Sequence, residues 1–311
     1  MSNMKPSKRQ PYRREEHGLF WQRFLFRVAL VAALSIPTLF FMTQARADEN
    51  LWGYVYGTDT LPAGANEVYL WTTSRNQKGK GNYRAWDTQL EFEHGFTDRF
   101  QASFYLNGRS HQISGGALAE DPERKLHRGL EFDGFNVELK YNVLSVYKDL
   151  FGLSLYIEPE YQRIDKISGE RVNGFGLESK LILQKNFFDD QLALAYNLTL
   201  EPEWKKFKAT GEHEKELELE HTVGVSYRFL PHWFAGIEGR YASVYPEFKK
   251  KESAAYFLGP NLHYAAERWW FTFTFLPQVS GTPRIAGRNS DGLHLGEYER
   301  YEYRFKIAFN F

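Results

Sequence analysis

Carboxylates recur along this 311-residue chain at intervals of two: Glu158 with Glu160, Glu201 with Glu203, and Glu218 with Glu220. Glu178 stands two residues before Lys180 in the same rhythm. Clustered carboxylates can serve as general acid and base, ligate a hard cation, or set up a field that attracts positive solutes. Arg109, Arg240, Arg304 and Lys306 could oppose them from elsewhere in the chain. A nucleophile–base pair is not legible. The nine histidines (17, 94, 111, 127, 213, 221, 232, 263 and 294) form neither H-x-x-x-H nor H-x-S, and the stretch Val223–Tyr227 misses G-x-S-x-G. With no cysteine there can be no disulfide, thiolate metal site or cysteine nucleophile. No catalytic residue, cofactor or metal is expected.

A spacing of two is the spacing of a β-strand face. Phe135, Val137, Leu139 and Tyr141 alternate with Asn136, Glu138 and Lys140, and Leu217 through Phe229 alternates with Glu218 through Arg228. Such alternation predicts twelve strands: 66–75, 83–95, 99–109, 132–142, 152–163, 175–186, 191–203, 216–229, 233–245, 254–265, 269–279 and 299–311. Most are near ten residues or longer, the length a tilted strand needs to cross a bilayer, whereas globular strands average five or six. Short turns alternate with longer polar loops, the largest at 110–131 and 280–298. That asymmetry belongs to outer-membrane barrels. The polar face carries Glu158, Glu160, Glu178, Lys180, Glu201, Glu203, Glu218, Glu220, Glu238, Arg240, Arg304 and Lys306. Desolvating such charges in a sandwich core would cost several kcal/mol each. The expected fold is all-β, a transmembrane antiparallel barrel of about 12 strands with both termini periplasmic.

Residues 1–47 read as a secretory signal peptide: a basic start, an apolar run from Val28 to Met42 broken by Pro37, and small residues at Ala45 and Ala47. A membrane anchor is the competing reading, but the run is short of the roughly 20 residues a helix needs. Cleavage would leave Asp48 first. The leader carries eight of the 39 basic and two of the 39 acidic residues, so the remainder is acidic by six and no nucleic-acid partner is implied. Residues 48–64 are expected in the lumen or at the periplasmic rim, and 65–311 form the barrel. Four prolines (159, 202, 260 and 277) fall on the apolar parity, where they would mark places at which strands bend or leave the ladder near the rim.

The last stretch alternates to its final residue, with Tyr301, Tyr303, Phe305, Ile307, Phe309 and Phe311 on one face. This pattern resembles the assembly signal of bacterial outer-membrane proteins, which implies the barrel assembly machinery and outer-membrane lipid as partners. The stretches 52–75 ("WGYVYGTDTLPAGANEVYLWTTSR") and 81–108 ("GNYRAWDTQLEFEHGFTDRFQASFYLNG") resemble a bacterial outer-membrane barrel family of unknown function. The likeness covers the whole chain beyond the leader and is sharpest over 51–108. Broader relatives look like outer-membrane transporters associated with phenol meta-cleavage pathways. The resemblance implies fold and location and carries over no catalytic residue.

Twelve strands about 4.8 Å apart, tilted about 40°, give a backbone diameter of roughly 24 Å and leave roughly 10 Å inside the side chains. Counting register from the turns sets Glu158 near Lys180, Glu160 near Glu178, Glu178 near Glu201, and Glu201 near Glu218. An acidic wall on strands five to eight would then face basic residues across the lumen. Either the charges line a wet path or they close it as salt bridges. A narrow channel or uptake pore for small hydrophilic solutes is expected. The alternatives are a closed structural or adhesion barrel and, on weaker grounds, a lipid-acting enzyme. An inward substitution such as Thr272→Lys is expected to be mild.

Overall fold

In the computed structural model the described residues are 50–118, 121–285 and 292–311. The expected signal peptide and its cleavage point lie outside them. Twelve strands follow in order: β1 (Asn66–Asn76), β2 (Asn82–Thr97), β3 (Phe100–Ser114), β4 (Leu126–Leu144), β5 (Gly152–Ile164) and β6 (Arg171–Phe187). The second half comprises β7 (Leu192–Phe207), β8 (His213–Leu230), β9 (Trp233–Pro246), β10 (Ser253–Ala265), β11 (Trp269–Thr282) and β12 (Tyr301–Asn310). Each pairs with its sequence neighbours and β12 pairs with β1, so the sheet closes and leaves no edge. The terminal alternation serves that closure. Val68, Leu70 and Thr72 lie opposite Phe309, Ile307 and Phe305 on the outer face, while Trp71 meets Lys306 on the inner one.

The outer face is apolar and uncovered, with Phe92, Phe104, Leu155, Val223, Ile237 and Phe273 among its exposed side chains. Aromatic side chains tie neighbouring strands, as where Phe271 meets Phe305 at 6.0 Å and Phe275 meets Tyr303 at 4.9 Å. A sheet with this exterior is at home only in lipid.

At the long-loop end several strands run further than periodicity predicts. β4 begins at Leu126 rather than 132, and its ladder to β3 continues to Ile113 and Leu126. Backbone pairing needs no apolar face, and above the lipid both faces are polar, so the ladder outlasts the pattern that announces it. Each of the four strand prolines keeps its pairing on one side, Pro159 with Leu177, Pro202 with Leu217, Pro260 with Ile237 and Pro277 with Tyr301. On the other side each falls in a gap of the ladder, between β4 and β5, β6 and β7, and, for Pro260 and Pro277 together, β10 and β11. They mark places where a strand leaves its ladder while continuing beyond.

Residues 50–63 form none of this sheet. They run inside it as a strap, which turns the lumen into a packed core over part of its height. Leu51, Trp52 and Val55 pack with Ala193, Ala195 and Phe234. Tyr54 packs with Ala242, Ala255, Phe257, Leu276 and Tyr298.

Candidate functional site

The lumen has two levels. Near the short-turn end, inward side chains from many strands hold the strap by its backbone. Glu238 on β9 accepts from Gly53 N–H (2.8 Å), Tyr54 N–H (2.7 Å) and the Thr274 hydroxyl (2.6 Å). Asn197 accepts from Tyr56 N–H at 2.7 Å and donates back to the Tyr56 carbonyl at 3.0 Å. Gln184 accepts from Thr58 N–H at 2.8 Å, and Gln101 accepts from Leu61 N–H at 2.7 Å. Strap carbonyls are matched in turn. Those of Asn50, Leu51, Thr58 and Asp59 accept from Thr272, Asn261, Asn142 and Lys140 at 2.5 to 2.8 Å. A segment in no sheet has no ladder to satisfy its amides, so partners must come from the wall. Long amide and carboxylate side chains at inward positions do this.

Trp52 is fully buried, and its indole N–H has no hydrogen-bond partner among the described residues. The ring fits because β8 carries Gly224 there: a Cβ at that position would stand 2.6 Å from the indole nitrogen. An unmatched buried donor costs about 1–3 kcal/mol, so the closure is tight without being fully satisfied.

Towards the long-loop end lies the acidic wall. Glu201 and Glu218 are directly paired across β7 and β8, as the sequence predicts. On β5 and β6 the register differs by one inward pair: Glu158 faces Glu178, Glu160 faces Gly176, and Lys180 faces Tyr156. Counting from the turns misses this because it sets 163 opposite 175, whereas β6 begins at Arg171 and Gln162 lies opposite Gly174. Ligand oxygens of Glu160, Glu201 and Glu203 converge to within 4.8 Å of one another. Lysines thread the cluster. Lys205 lies 2.5 Å from Glu203 and 2.9 Å from Glu216, while Lys180 binds Glu178 and sits 4.8 Å over the Tyr56 ring. Glu178, Glu218 and Glu220 keep about a fifth of their side-chain surface open to solvent (22, 17 and 21%). They line a vestibule rather than a sealed core.

The loop between β5 and β6 leans over this wall. Burial alone would raise the Asp165 carboxyl, but Lys205 at 3.5 Å and the Ser168 N–H and hydroxyl hold it below the usual carboxylate range. Lys166 is raised by Glu218, 3.8 Å away. In the loop before β12, Glu299 is buried, yet Lys78 and Arg75 hold it below its ordinary value.

The basic residues expected to face the wall across open water are engaged at close range, Arg240 partly with the wall itself. Arg109 lies between Asp87 (2.8 Å) and Asp133 (3.4 Å) on the neighbouring strands. Arg240 binds Glu302 at 2.5 Å and approaches Glu220 at 3.8 Å. Arg304 donates to the Gly53 carbonyl at 3.1 Å and stacks 3.8 Å over Tyr54, and Lys306 sits 4.0 Å over Trp71. The two cations of β12 therefore act on the strap and the core beside it. Of the assembly-pattern residues, Tyr303, Phe305 and Phe309 are exposed on the outer face, Ile307 takes its place between them opposite Leu70, and Phe311 is 71% exposed. His263, inward as expected, is buried against Thr272 at 2.7 Å.

Sequence reasoning missed the polar ring of Gln101, Asn142, Gln184, Asn197 and Asn261. Neutral amides on an inner face read as ordinary lumen lining. The available signal was the strap itself: Leu51–Leu61 is rich in aromatics and glycine and almost free of charge, a composition that seeks burial.

Residues 44–311 match the family of unknown function DUF6662, and the chain belongs to that family. No curated protein sequence matches it. Among solved structures it is similar to the COG4313 outer membrane channel from Pseudomonas putida F1. Identity is 14% and TM-score 0.56, with 82% of this chain and 98% of that one covered. It is less similar to the NanC porin (11% identity, TM-score 0.46, covering 78% of this chain and 98% of that one). The KdgM porin stands near it (15% identity, TM-score 0.45, 79% and 99% covered). The first likeness shows the fold: this is a twelve-stranded barrel of the outer-membrane type.

Proposed function

We propose that the protein is a gated outer-membrane channel for small hydrophilic solutes, preferring cations, in which the strap is the gate. The observation that carries this reading is the division of the lumen into an acidic level that keeps solvent contact and a lower level filled by one segment that belongs to no sheet. Most hydrogen bonds holding the strap run to wall side chains that water can also satisfy, such as Glu238, Asn197 and Gln184. Its withdrawal would leave a passage with polar and charged side chains beside the apolar patches at Ala193, Ala195 and Phe234 and at Phe257 and Leu276. Outer-membrane lipid and the barrel assembly machinery are the partners this requires, the terminal aromatic pattern being the feature the latter would read. The likeness to phenol meta-cleavage transporters suggests an uptake role, and the lining favours a charged or hydroxylated solute over a bare hydrocarbon.

The test is the reversal potential of the refolded protein in a planar bilayer under a salt gradient. Openings should be cation-selective, and less so as salt rises, because the wall's field is screened over about 8 Å at physiological ionic strength. Converting Glu201, Glu203, Glu218 and Glu220 to Gln should move the reversal potential towards zero. A protein that folds and never conducts would favour the second reading, a closed barrel, which draws its support from the number of walls that bind the strap.

A further inference from the structure

Above its apolar band the outer wall of β12 and β1–β4 turns basic. On β2 the outward positions run from Phe96 to Trp86, exposed by 57% and 41%. Ten residues at about 3.3 Å each, tilted about 40°, rise about 25 Å, the height of a barrel's apolar band. Arg84, the next outward position, stands about 5 Å higher, in the headgroup layer. The ladder sets Asn76 and Gln112 beside it, with Tyr301 and His127 at the flanks. A cleft of about 960 Å³ opens along this row, bounded by Arg84, Lys125, His127 and Arg300. Among the described residues no carboxylate lines it.

The cleft leads downward. The Arg300 guanidinium lies 5.2 Å from the Tyr301 ring, which meets Phe275 at 5.9 Å, and Phe275 stacks on Tyr303 at 4.9 Å. Positive charge therefore joins directly onto aromatic surface that descends into the lipid zone.

We propose that this cleft binds the phosphate-bearing headgroup of an outer-leaflet glycolipid, its acyl chains lying along Trp86, Tyr301 and Tyr303. The assignment places the long loops outside the cell, as the channel reading does. A free anion at so exposed a site would be held only by screened charge, whereas a lipid adds apolar contact to the same charges. A second cleft, of about 560 Å³ over β5–β8, also has basic residues (Lys206, His213, Lys215), but Glu214 and Glu247 line it and Lys215 pairs with Glu247 at 3.1 Å. It serves as the internal control.

The experiment uses refolded protein in neutral detergent, native mass spectrometry, and an acylated diglucosamine carrying two phosphates beside its dephosphorylated form. Folding is checked by heat-modifiable electrophoretic mobility. Arg84→Gln with Lys125→Gln and His127→Gln should reduce retention of the phosphorylated lipid by at least about tenfold. Lys206→Gln with His213→Gln and Lys215→Gln should leave it unchanged. The dephosphorylated lipid should bind weakly to all three proteins, and millimolar inorganic phosphate should not displace the bound glycolipid. Undiminished retention in the first variant would overturn the proposal, as would equal loss in the second. Displacement by inorganic phosphate would make it a free-anion site instead. Should the triple variant fail to fold, Arg84→Gln alone must lower retention for the proposal to stand.

Discussion

The two levels of the lumen are built from the same residue types and do different work. In the lower level Glu238 is fully buried and accepts from Gly53 N–H and Tyr54 N–H of the strap and from the Thr274 hydroxyl. In the upper level Glu178, Glu218 and Glu220 keep solvent contact and crowd one another, relieved by Lys166, Lys180 and Arg240. A buried carboxylate must be matched donor for donor, so the lower level is specific to one occupant. A half-solvated one is not so bound, and its charge remains available to a passing solute. The same contrast separates what closes the barrel from what could filter through it.

Substitutions of different reach should separate these levels from each other and from the wall that carries them. The largest effect is expected on the lipid side. Phe273→Arg on β11 should destabilise the barrel by about 2–4 kcal/mol in a bilayer unfolding titration, because the charge would face the hydrocarbon. Its neighbour Thr272 points inward, where an open lumen would tolerate Lys. In this lumen Thr272 donates to the Asn50 carbonyl at 2.7 Å and is fully buried, so the mild outcome expected from sequence is revised. Thr272→Lys should loosen the strap and raise open probability while leaving the unfolding midpoint closer to wild type than Phe273→Arg does. Equal destabilisation by both would mean the strap is inseparable from the barrel wall.

A smaller effect is expected at Glu238. Glu238→Gln keeps the shape but turns one acceptor into an amide that confronts strap N–H groups. Losing hydrogen bonds to a charged acceptor costs about 1.5–3 kcal/mol each at most, and the loss should fall on strap docking rather than on the barrel. Protease nicking between residues 50 and 63, with the barrel core intact, measures it; unchanged protection would mean the other wall side chains hold the strap alone.

Much of the barrel was legible because lipid and lumen impose opposite chemistry on alternate residues. Strand number, loop asymmetry and the closing role of Tyr301–Phe311 all follow from that rule. It weakens wherever the two faces become alike. Above the membrane the ladder of β4 runs on to Leu126 without an apolar face to reveal it. The Glu158 partner was displaced by one pair because β6 begins at Arg171, ahead of the point near 175 where its alternation shows. The strap was harder still. It has no period, and its partners are neutral amides such as Gln184 and Asn197, whose role depends on what occupies the lumen. For the candidate site, the wall residues could be named from sequence, but whether Arg304 and Lys306 faced that wall or an intervening segment could not. Tyr54 and Tyr56 of the strap, beneath those two cations, give the answer.

The central claim is that residues 50–63 close a conductive barrel. Single-channel recording of the refolded protein beside a form that begins at Gly64 tests it most directly. The account predicts that the wild type is mostly closed with brief openings, and that the shortened form folds, stays open for most of the record and remains cation-selective. A shortened form that folds and conducts no more than the wild type would contradict it.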